Sequence, residues 1–475
     1  MHLDKTIFKI PKKGSDIELY IDSLAFGGMG VSKYNDIIIF VKNAIPNQKV
    51  LARITKKRSS FLEARALEVL KESNSSIDVK CKHFNHCGGC TFQNLIYEEQ
   101  LAAKESQVKD ILNRIGGFKD INVNPILGCD EIFHYRNKME FTFSNRRWKT
   151  DLKLDSTDSN FALGLHVPGR FDKILNIDEC FLHSKTSNKI LGIIKKISQE
   201  LELEPYDIKN HSGFLRYLMI RHSTNLNEIM VNLVTSTNNH KKVKPIVDAL
   251  VSEIPEIVSI VNNITSRKAG VSSGEEQILL YGKDTINERL GKFQFMISAD
   301  SFFQTNTKQA EKLYEIIKEE AEIKKDDIIY DLFCGTGSIS IYLANLAKKV
   351  YGFEISMPAI QDAIQNAHQN KIKNVRFFNG DLMNLFKKNL EAQQLEKPDT
   401  IIVDPPRAGL HSNTIKEIIH MSPNRIVYVS CNPSTQARDL SLLCNNGKFK
   451  LVNIRPVDMF PHTPHVENVA TLIKT

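Results

Sequence analysis

The fold of this chain is decided by a short apolar run that leads into a glycine turn, Tyr330-Asp331-Leu332-Phe333-Cys334-Gly335-Thr336-Gly337-Ser338. Glycines in the turn let the backbone approach a ligand closely, and the first N–H groups of the following helix add hydrogen-bond donors. Further apolar runs follow, separated by helical stretches: Val350–Phe353, Val375–Phe378, Ile401–Val403 and Ile426–Val429. This alternation predicts a doubly wound α/β sheet, in which ligands bind beyond the carboxyl ends of the strands.

Acidic residues stand at two of those strand ends. Glu354 lies 23 positions after Asp331, where a carboxylate can accept both hydroxyls of a ribose, and Asp381 is placed to meet an adenine edge. A dinucleotide turn would need a third glycine where Ser340 stands, and no Gly-Lys-Ser/Thr sequence is present to bind a triphosphate. We therefore expect an adenosyl ligand without phosphates, S-adenosylmethionine. The alternative is a structural glycine turn with surface acids.

The fourth and fifth predicted strands end in two further motifs. Asp404-Pro405-Pro406-Arg407 follows the fourth strand, and its two prolines fix a loop that holds Asp404 at the edge of the sheet. Methyltransferases that act on base amino groups usually carry an aromatic residue after the prolines, so Arg407 indicates different chemistry. Cys431, in Ser430-Cys431-Asn432-Pro433, is a candidate nucleophile, although most free cysteines are small buried hydrophobes. Near the C-terminus, Glu467 is a candidate general base.

The composition is that of an ordinary globular protein of about three domains. The chain has 475 residues, 41% of them hydrophobic and 25% charged. It contains no run of the ~18 apolar residues that a membrane helix needs. We expect a soluble cytoplasmic protein.

The net charge of +8 is concentrated at the front of the chain, because residues 1–71 hold 13 Lys and Arg against 7 Asp and Glu. Alternating apolar runs in the same region predict a small β-barrel of a kind that often binds nucleic acid. A solvated basic surface is the alternative.

Three of the eight cysteines are clustered. Cys81, Cys87 and Cys90 have the spacing Cys-x5-Cys-x2-Cys, whereas the other five are scattered. In a reducing compartment this cluster indicates metal binding rather than disulfides.

Six motifs, in this order, resemble those of the RNA 5-methyluridine methyltransferases, and most of all the iron–sulfur enzymes that methylate uracil C5 in 23S ribosomal RNA. The motifs are Cys81-x5-Cys87-Gly88-Gly89-Cys90, Phe303-Gln304-x-Asn306, Asp331-Leu332-Phe333-Cys334-Gly335, Asp404-Pro405-Pro406-Arg407, Ser430-Cys431-Asn432-Pro433 and Phe460-Pro461-His462-Thr463-x-His465-Val466-Glu467. The resemblance implies three domains. Residues 1–72 would form an OB-like RNA-binding barrel (TRAM domain), 73–295 a central α+β domain with the cysteine cluster, and 296–475 a Rossmann-like methyltransferase domain.

The resemblance also implies roles for single residues. The expected contacts of S-adenosylmethionine are Gln304, Phe333, Ser338, Glu354, Asp381 and Asp404. Cys431 matches the family's nucleophile and Glu467 its base. The implied ligands of a [4Fe-4S] cluster are Cys81, Cys87, Cys90 and Cys180. Zinc is the alternative metal, since four cysteines suit it as well.

The implied function is methylation of uracil C5 in RNA through a covalent bond between Cys431 and uracil C6. Ribosomal RNA is the expected partner, because transfer-RNA enzymes of this family commonly lack the cysteine cluster, and transfer RNA is the alternative. No membrane and no obligate protein partner is expected. Two rivals remain: a cytosine-C5 methyltransferase, which would carry Pro-Cys where Asp404-Pro405-Pro406 stands, and a non-catalytic RNA-binding factor.

Overall fold

The computed structural model describes residues 10–150, 160–268, 274–382, 395–445 and 447–475. None of the helices in these ranges is both long and apolar enough to cross a membrane. The described residues fall into two compact units. The first takes its residues from Met1–Asn85, Gly89–Asp110 and Phe460–His465, and the second from His86–Gly88, Ile111–Met459 and Val466–Thr475.

The α-helices within the described residues are α1 Tyr97–Arg114, α2 Lys185–Glu200, α3 His240–Glu253, α4 Thr307–Ala321, α5 Ser338–Ala344, α6 Met357–Gln369, α7 Ser412–Met421 and α8 Pro433–Cys444. Most of them begin at a residue whose side chain caps the first turn. Ser184 caps α2, Asn239 caps α3 and Asn432 caps α8 by accepting a backbone N–H. Such caps satisfy donors that a helix leaves open at its N-terminus.

The first unit contains a mixed six-stranded sheet. Its strands are β1 Asp16–Tyr20, β2 Ser23–Leu24, β3 Gly30–Tyr34, β4 Ile37–Lys42, β5 Lys49–Lys57 and β6 Phe61–Lys71, in the order β1-β5-β6-β4-β3-β2. Inward-facing residues such as Leu19, Ile39 and Val50 share one buried core. The alternation of apolar and polar residues in these strands places one side of each on that core. The all-β N-terminal region predicted from the sequence is confirmed.

The segment 460–465 belongs to the first unit through hydrogen bonds of His462. The backbone N–H groups of Thr91 and Phe92 donate to the His462 carbonyl at 2.7 and 3.1 Å. The side chain of Gln100 accepts the His462 N–H at 2.9 Å.

The second unit contains an eight-stranded sheet in its central part. Its strands are β7 Lys138–Ser144, β8 Arg147–Trp148, β9 Ala162–Val167, β10 Arg170–Asn176, β11 Leu215–His222, β12 Ile229–Thr235, β13 Ile257–Ile264 and β14 Glu276–Gly282, in the order β14-β13-β12-β11-β7-β9-β10-β8. A hairpin of β15 Thr285–Leu290 and β16 Phe293–Ser298 follows. The boundary predicted between residues 295 and 296 therefore falls inside β16.

The same unit contains a seven-stranded sheet built from the C-terminal part of the chain. Its strands are β17 Ile328–Leu332, β18 Lys349–Glu354, β19 Val375–Asn379, β20 Thr400–Val403, β21 Arg425–Ser430, β22 Phe449–Val457 and β23 Glu467–Lys474, in the order β19-β18-β17-β20-β21-β23-β22. The first five in chain order are parallel, and β23 lies antiparallel between β21 and β22. The predicted doubly wound α/β fold is confirmed. The strand order reverses at β17, and ligands bind at such switch points.

Candidate active site

The turn after β17 presents its backbone at the carboxyl edge of the sheet. Phe333, Gly335 and Gly337 have positive φ angles of 67°, 53° and 77°. A Cβ at Gly337 would lie 2.7 Å from the ring of Phe377, so only glycine fits there. No described atom lies within 4 Å of the corresponding position at Gly335. The turn is therefore packed on one side and open on the other, which suits close approach of a ligand.

Glu354 ends β18 with its carboxylate directed at this turn. It accepts the N–H of Gly335 at 3.2 Å and the N–H of Ser356 at 2.8 Å. Its own carbonyl accepts the N–H of Gly380 at 2.9 Å, which joins the ends of β18 and β19. The half-buried Asp381 follows directly. Both acids that the sequence pattern singled out thus stand at neighbouring strand ends.

Asp331 supplies a buried acceptor at the same edge. Ser340 donates its hydroxyl to Oδ2 at 2.5 Å, whereas Oδ1 has no hydrogen-bond partner among the described residues. Burial raises the pKa of Asp331 to about 7, and the charges of Asp404 and Glu354 act in the same direction against the Ser340 hydrogen bond. A buried acceptor that receives no hydrogen bond is unfavourable, so Asp331 Oδ1 suits a ligand that donates a hydrogen bond to it. Together with the open turn, the residues present fit an adenosyl ligand.

Two further predicted ligand contacts precede or begin helices. Gln304 lies before α4, partly exposed, and its carbonyl accepts the Asn137 side chain at 2.8 Å. Ser338 begins α5, and its hydroxyl lies 2.7 Å from the Tyr314 hydroxyl on α4. These contacts tie the Gln304 loop to the central sheet and α4 to the glycine turn.

The predicted nucleophile and base are brought together by strand pairing. Ser430 at the end of β21 is paired with Asn468 on the antiparallel β23. Cys431 follows Ser430 just beyond the end of β21, and Glu467 is the first residue of β23, directly before Asn468. The pair therefore brings Cys431 and Glu467 to the same end of the two strands, and the Glu467 charge acts on the Cys431 thiol. Cys431 is half-buried and Glu467 is buried.

Both groups have raised pKa values in this setting. Burial raises the pKa of the Cys431 thiol, and the Glu467 charge raises it further, while the charge and a hydrogen bond of Arg407 lower it. Burial raises the pKa of Glu467 well above its usual range, and Asp404 adds to the effect against Arg407. Burial also raises the pKa of Asp404 to about 7. Three acidic groups and one guanidinium therefore share the end of β20, β21 and β23.

Arg407 is a charged residue at this site that the sequence analysis did not include among the candidate site residues. In the sequence it stood out only as a departure from the aromatic residue of other methyltransferases. In the structure its guanidinium acts on both Cys431 and Glu467. A cation beside a thiol favours the thiolate, the reactive form of cysteine. The available signal was its position three residues after Asp404, on the loop that borders the fifth strand.

Two amide side chains contact the cysteines of the predicted cluster. Gln93 accepts the N–H of Cys81 at 3.3 Å and donates to the sulfur of Cys90 at 3.2 Å. Asn188 holds both backbone groups of the buried Cys180, at 2.9 and 3.1 Å. Among the described residues, no group of three or more His, Cys, Asp or Glu side chains is arranged to hold a metal ion. The four-cysteine ligand set, Cys81, Cys87, Cys90 and Cys180, stays a prediction.

The chain matches a family model described as tRNA (uracil-5-)-methyltransferase over residues 96–475. It is similar to an uncharacterized RNA methyltransferase of Chlorobaculum tepidum, with 41% identity over 473 residues that cover 97% of this chain and 96% of the relative. A similar protein of Porphyromonas gingivalis is 40% identical over 463 residues, which cover 96% of this chain and 99% of that one.

A solved structure is also similar over almost the whole chain. It is the tRNA (uracil-54, C5)-methyltransferase of Pyrococcus abyssi in complex with S-adenosyl-L-homocysteine. The TM-score is 0.76 at 30% sequence identity, with 96% of this chain and 100% of that chain covered.

Proposed function

Because the chain belongs to the tRNA (uracil-5-)-methyltransferase family and is an RNA uracil-C5 methyltransferase dependent on S-adenosylmethionine, we propose that Cys431 is its nucleophile and Glu467 its general base. The observation that supports this assignment is the β21–β23 pairing, whose last pair, Ser430 with Asn468, is adjacent in the chain to Cys431 and to Glu467. Arg407, which acts on both, is proposed to favour the thiolate.

Uracil C5 is a weak nucleophile toward a methyl sulfonium. In the proposed mechanism, Cys431 increases the electron density at C5, and Glu467 completes the reaction. The Cys431 thiolate adds to C6, the C5–C6 π electrons move onto C5 and O4, and the ring becomes an enolate that is nucleophilic at C5. S-adenosylmethionine supplies the electrophilic methyl group. Glu467 then removes the proton from C5, the electron pair of that C–H bond restores the double bond, and the C6–S bond breaks to release the Cys431 thiolate.

The target uridine must leave its stack for its C6 to reach a half-buried thiol. Unstacking costs a few kcal/mol in a duplex and less in a single-stranded loop. A loop uridine is therefore the proposed target.

RNA that carries 5-fluorouridine tests the nucleophile directly. Fluorine leaves no C5 proton for Glu467 to remove, so a covalent protein–RNA complex should persist on a denaturing gel. Cys431→Ala should form none, whereas Cys444→Ser, which changes a cysteine at the end of α8, should form it normally. A stable complex with Cys431→Ala would refute the assignment.

We propose that Gln304, Phe333, Ser338, Glu354, Asp381 and Asp404 hold S-adenosylmethionine. The support is their placement: Phe333 and Ser338 flank the glycine turn, Glu354 ends β18, and Asp381 and Asp404 follow β19 and β20 at the same edge of the sheet. The Glu354 carboxylate, held by two backbone N–H groups, is proposed to accept the ribose hydroxyls.

Ribosomal RNA is the proposed substrate, and transfer RNA is a second candidate. The cysteine pattern supports the first. The similarity to a transfer-RNA enzyme of Pyrococcus abyssi supports the second. Mapping 5-methyluridine in the 23S rRNA and the tRNA of a deletion strain, followed by methylation of each purified RNA in vitro, distinguishes them. Loss from one RNA class only, with repair by the protein in vitro, would identify the substrate.

We propose that Cys81, Cys87, Cys90 and Cys180 bind a [4Fe-4S] cluster in the reducing cytoplasm. The donor chemistry supports this, because cysteine thiolates are the ligands of iron–sulfur clusters and three of the four follow the spacing Cys-x5-Cys-x2-Cys. Four cysteine ligands would leave no open iron, so the proposed role is structural. Protein purified anaerobically should contain iron and sulfide in equal amounts and lose both in Cys87→Ser but not in Cys444→Ser. Stoichiometric zinc without iron would identify the alternative metal.

A further inference from the structure

The loop between β20 and α7, residues 404–410, carries Arg407, and we name it the proline loop. Pro406, Arg407 and Ala408 are exposed. The loop turns through Gly409, which has a φ of 77° and donates its N–H to the Pro406 carbonyl at 2.8 Å. An exposed loop places a charged side chain reproducibly only where its backbone is anchored.

Asp439 on α8 anchors the end of the proline loop. It is 0% exposed. Its Oδ2 accepts the N–H of Leu410 at 2.7 Å and the hydroxyl of Tyr428 on β21 at 2.7 Å. Its Oδ1 pairs with Arg438 at 2.7 Å. Both carboxylate oxygens are satisfied, so the buried charge is compensated, and one side chain joins the proline loop, β21 and α8.

The fit between the proline loop and α8 is tight. A Cβ at Gly409 would lie 2.5 Å from Asp439 Oδ2 and 2.8 Å from Arg438 Nη2. The same Arg438 nitrogen donates to the carbonyls of Ala408 at 3.1 Å and Leu410 at 3.3 Å. The backbone of the loop is therefore held from the α8 side at Ala408 and Leu410, on either side of Gly409.

The first turn of α8 holds the backbone of Arg407 itself. The Arg407 carbonyl accepts the side-chain amide of Asn432 at 3.0 Å and the hydroxyl of Thr435 at 3.2 Å. Asn432 follows Cys431 directly and caps α8. The N-terminus of α8 thus holds the backbone of Arg407 and lies directly after Cys431 in the chain.

We propose that Asp439 is a positioning residue, which anchors the proline loop on α8 so that the Arg407 guanidinium stays beside the Cys431 thiol. The charged groups that face this thiol are Glu467 on β23 and Asp404 and Arg407 on the proline loop, and Arg407 alone among these three favours the thiolate. The proposal rests on the proposed function for the use of the thiolate, but ionisation of the thiol can be measured without any RNA.

The test is the alkylation of Cys431 by iodoacetamide as a function of pH, read by mass spectrometry of its peptide in the full-length protein. Asp439→Asn removes the negative charge of the carboxylate. It also replaces one acceptor oxygen by an amide NH2 group, which cannot accept a hydrogen bond from the Leu410 N–H, the Tyr428 hydroxyl or Arg438. If Arg407 drifts away, the thiol pKa rises and alkylation at mildly alkaline pH falls about tenfold, as expected for loss of a nearby opposite charge. Asp399→Asn is the matched control, because Asp399 accepts the N–H of Ile328 at 2.9 Å just before β20, at the opposite end of that strand.

A double-mutant comparison separates positioning from general damage. Asp439→Asn should have no further effect on the alkylation profile when Arg407→Gln is already present, because Asp439 acts through Arg407. Additive effects, or an Asp439→Asn profile equal to that of Asp399→Asn, would overturn the proposal. Thr435→Val should shift the profile in the same direction and Thr435→Ser should restore it, which provides a milder variant if Asp439→Asn does not fold. If Asp439→Asn shifts the alkylation profile but Cys431→Ala still forms the 5-fluorouridine complex, the role of Asp439 as an anchor stands. Only the proposed role of Cys431 as the nucleophile is then refuted.

Discussion

Ser430 is paired with Asn468 across the antiparallel ladder of β21 and β23. This pair brings its chain neighbours Cys431 and Glu467 to the same end of the two strands, although 36 positions separate them in the chain. The Glu467 charge acts on the Cys431 thiol, and the first two predictions below depend on this proximity.

Glu467→Gln should slow methylation by about 10²–10⁴-fold, the usual contribution of a general base. Because addition and methyl transfer do not need the base, a covalent adduct with ordinary uridine RNA should accumulate. Its detection on a denaturing gel, with S-adenosylmethionine present, is the measurement. Fast turnover of this variant without trapped RNA would assign the proton transfer elsewhere.

The same substitution should lower the pKa of the Cys431 thiol. An ionised Glu467 raises this pKa, so removal of its negative charge favours the thiolate at a given pH. The two groups titrate as a coupled pair, and the effect should be largest above the raised pKa of Glu467, where that carboxyl is ionised. Iodoacetamide alkylation of Cys431 should therefore begin at lower pH in Glu467→Gln than in the unsubstituted protein. A shift to higher pH would contradict this electrostatic arrangement.

Glu354→Gln should weaken the binding of S-adenosyl-L-homocysteine without changing the fold. A neutral amide is a weaker acceptor than a carboxylate for ribose hydroxyls, and the lost charge-assisted bonds are worth about 1–3 kcal/mol, or about 5- to 150-fold in affinity. Calorimetric titration measures the change. Glu396→Gln offers a matched control, since Glu396 pairs with Lys348 at 2.7 Å just before β18, at the opposite end of that strand. Equal weakening in both variants would argue against a ribose contact.

Asp331→Asn should stabilise the ligand-free protein at alkaline pH. Burial raises the pKa of Asp331 from 3.8 to about 7, so the folded state binds its proton more tightly than the unfolded state does. The stability linked to this proton is present in acid and is lost as pH rises toward 7, on the order of 2–4 kcal/mol. Thermal unfolding on both sides of this range should show a smaller pH dependence for Asp331→Asn. An unchanged dependence would show that Asp331 is not the group responsible.

Much of the catalytic domain could be predicted from local sequence. The apolar run that leads into the glycine turn is β17, Ile328–Leu332, and the four later runs are β18 to β21, as the alternation predicts. Such features can be predicted from the sequence because short buried strands and glycine turns produce patterns among neighbouring residues.

Two features of the site had no local signal. The sequence analysis names Glu467 as a candidate base but predicts no strand at its position. In the structure Glu467 begins β23, which lies between β21 and β22. Asp439 lay unremarked in a helix, yet it holds the proline loop. Both depend on contacts between residues that are distant in the chain, which periodicity does not encode.

The sequence by itself determined the strand and helix alternation, the glycine turn and the choice of Cys431 and Glu467 as the proposed reactive groups, because these follow from residue type and spacing. Only the tertiary structure decided that the Cys431 thiol faces Glu467, that Arg407 offsets their shared burial, and that Asp331 and Asp404 have pKa values of about 7. The physical reason is desolvation and strand pairing. Both arise when distant segments pack together, and both change the chemistry of a side chain without changing its identity.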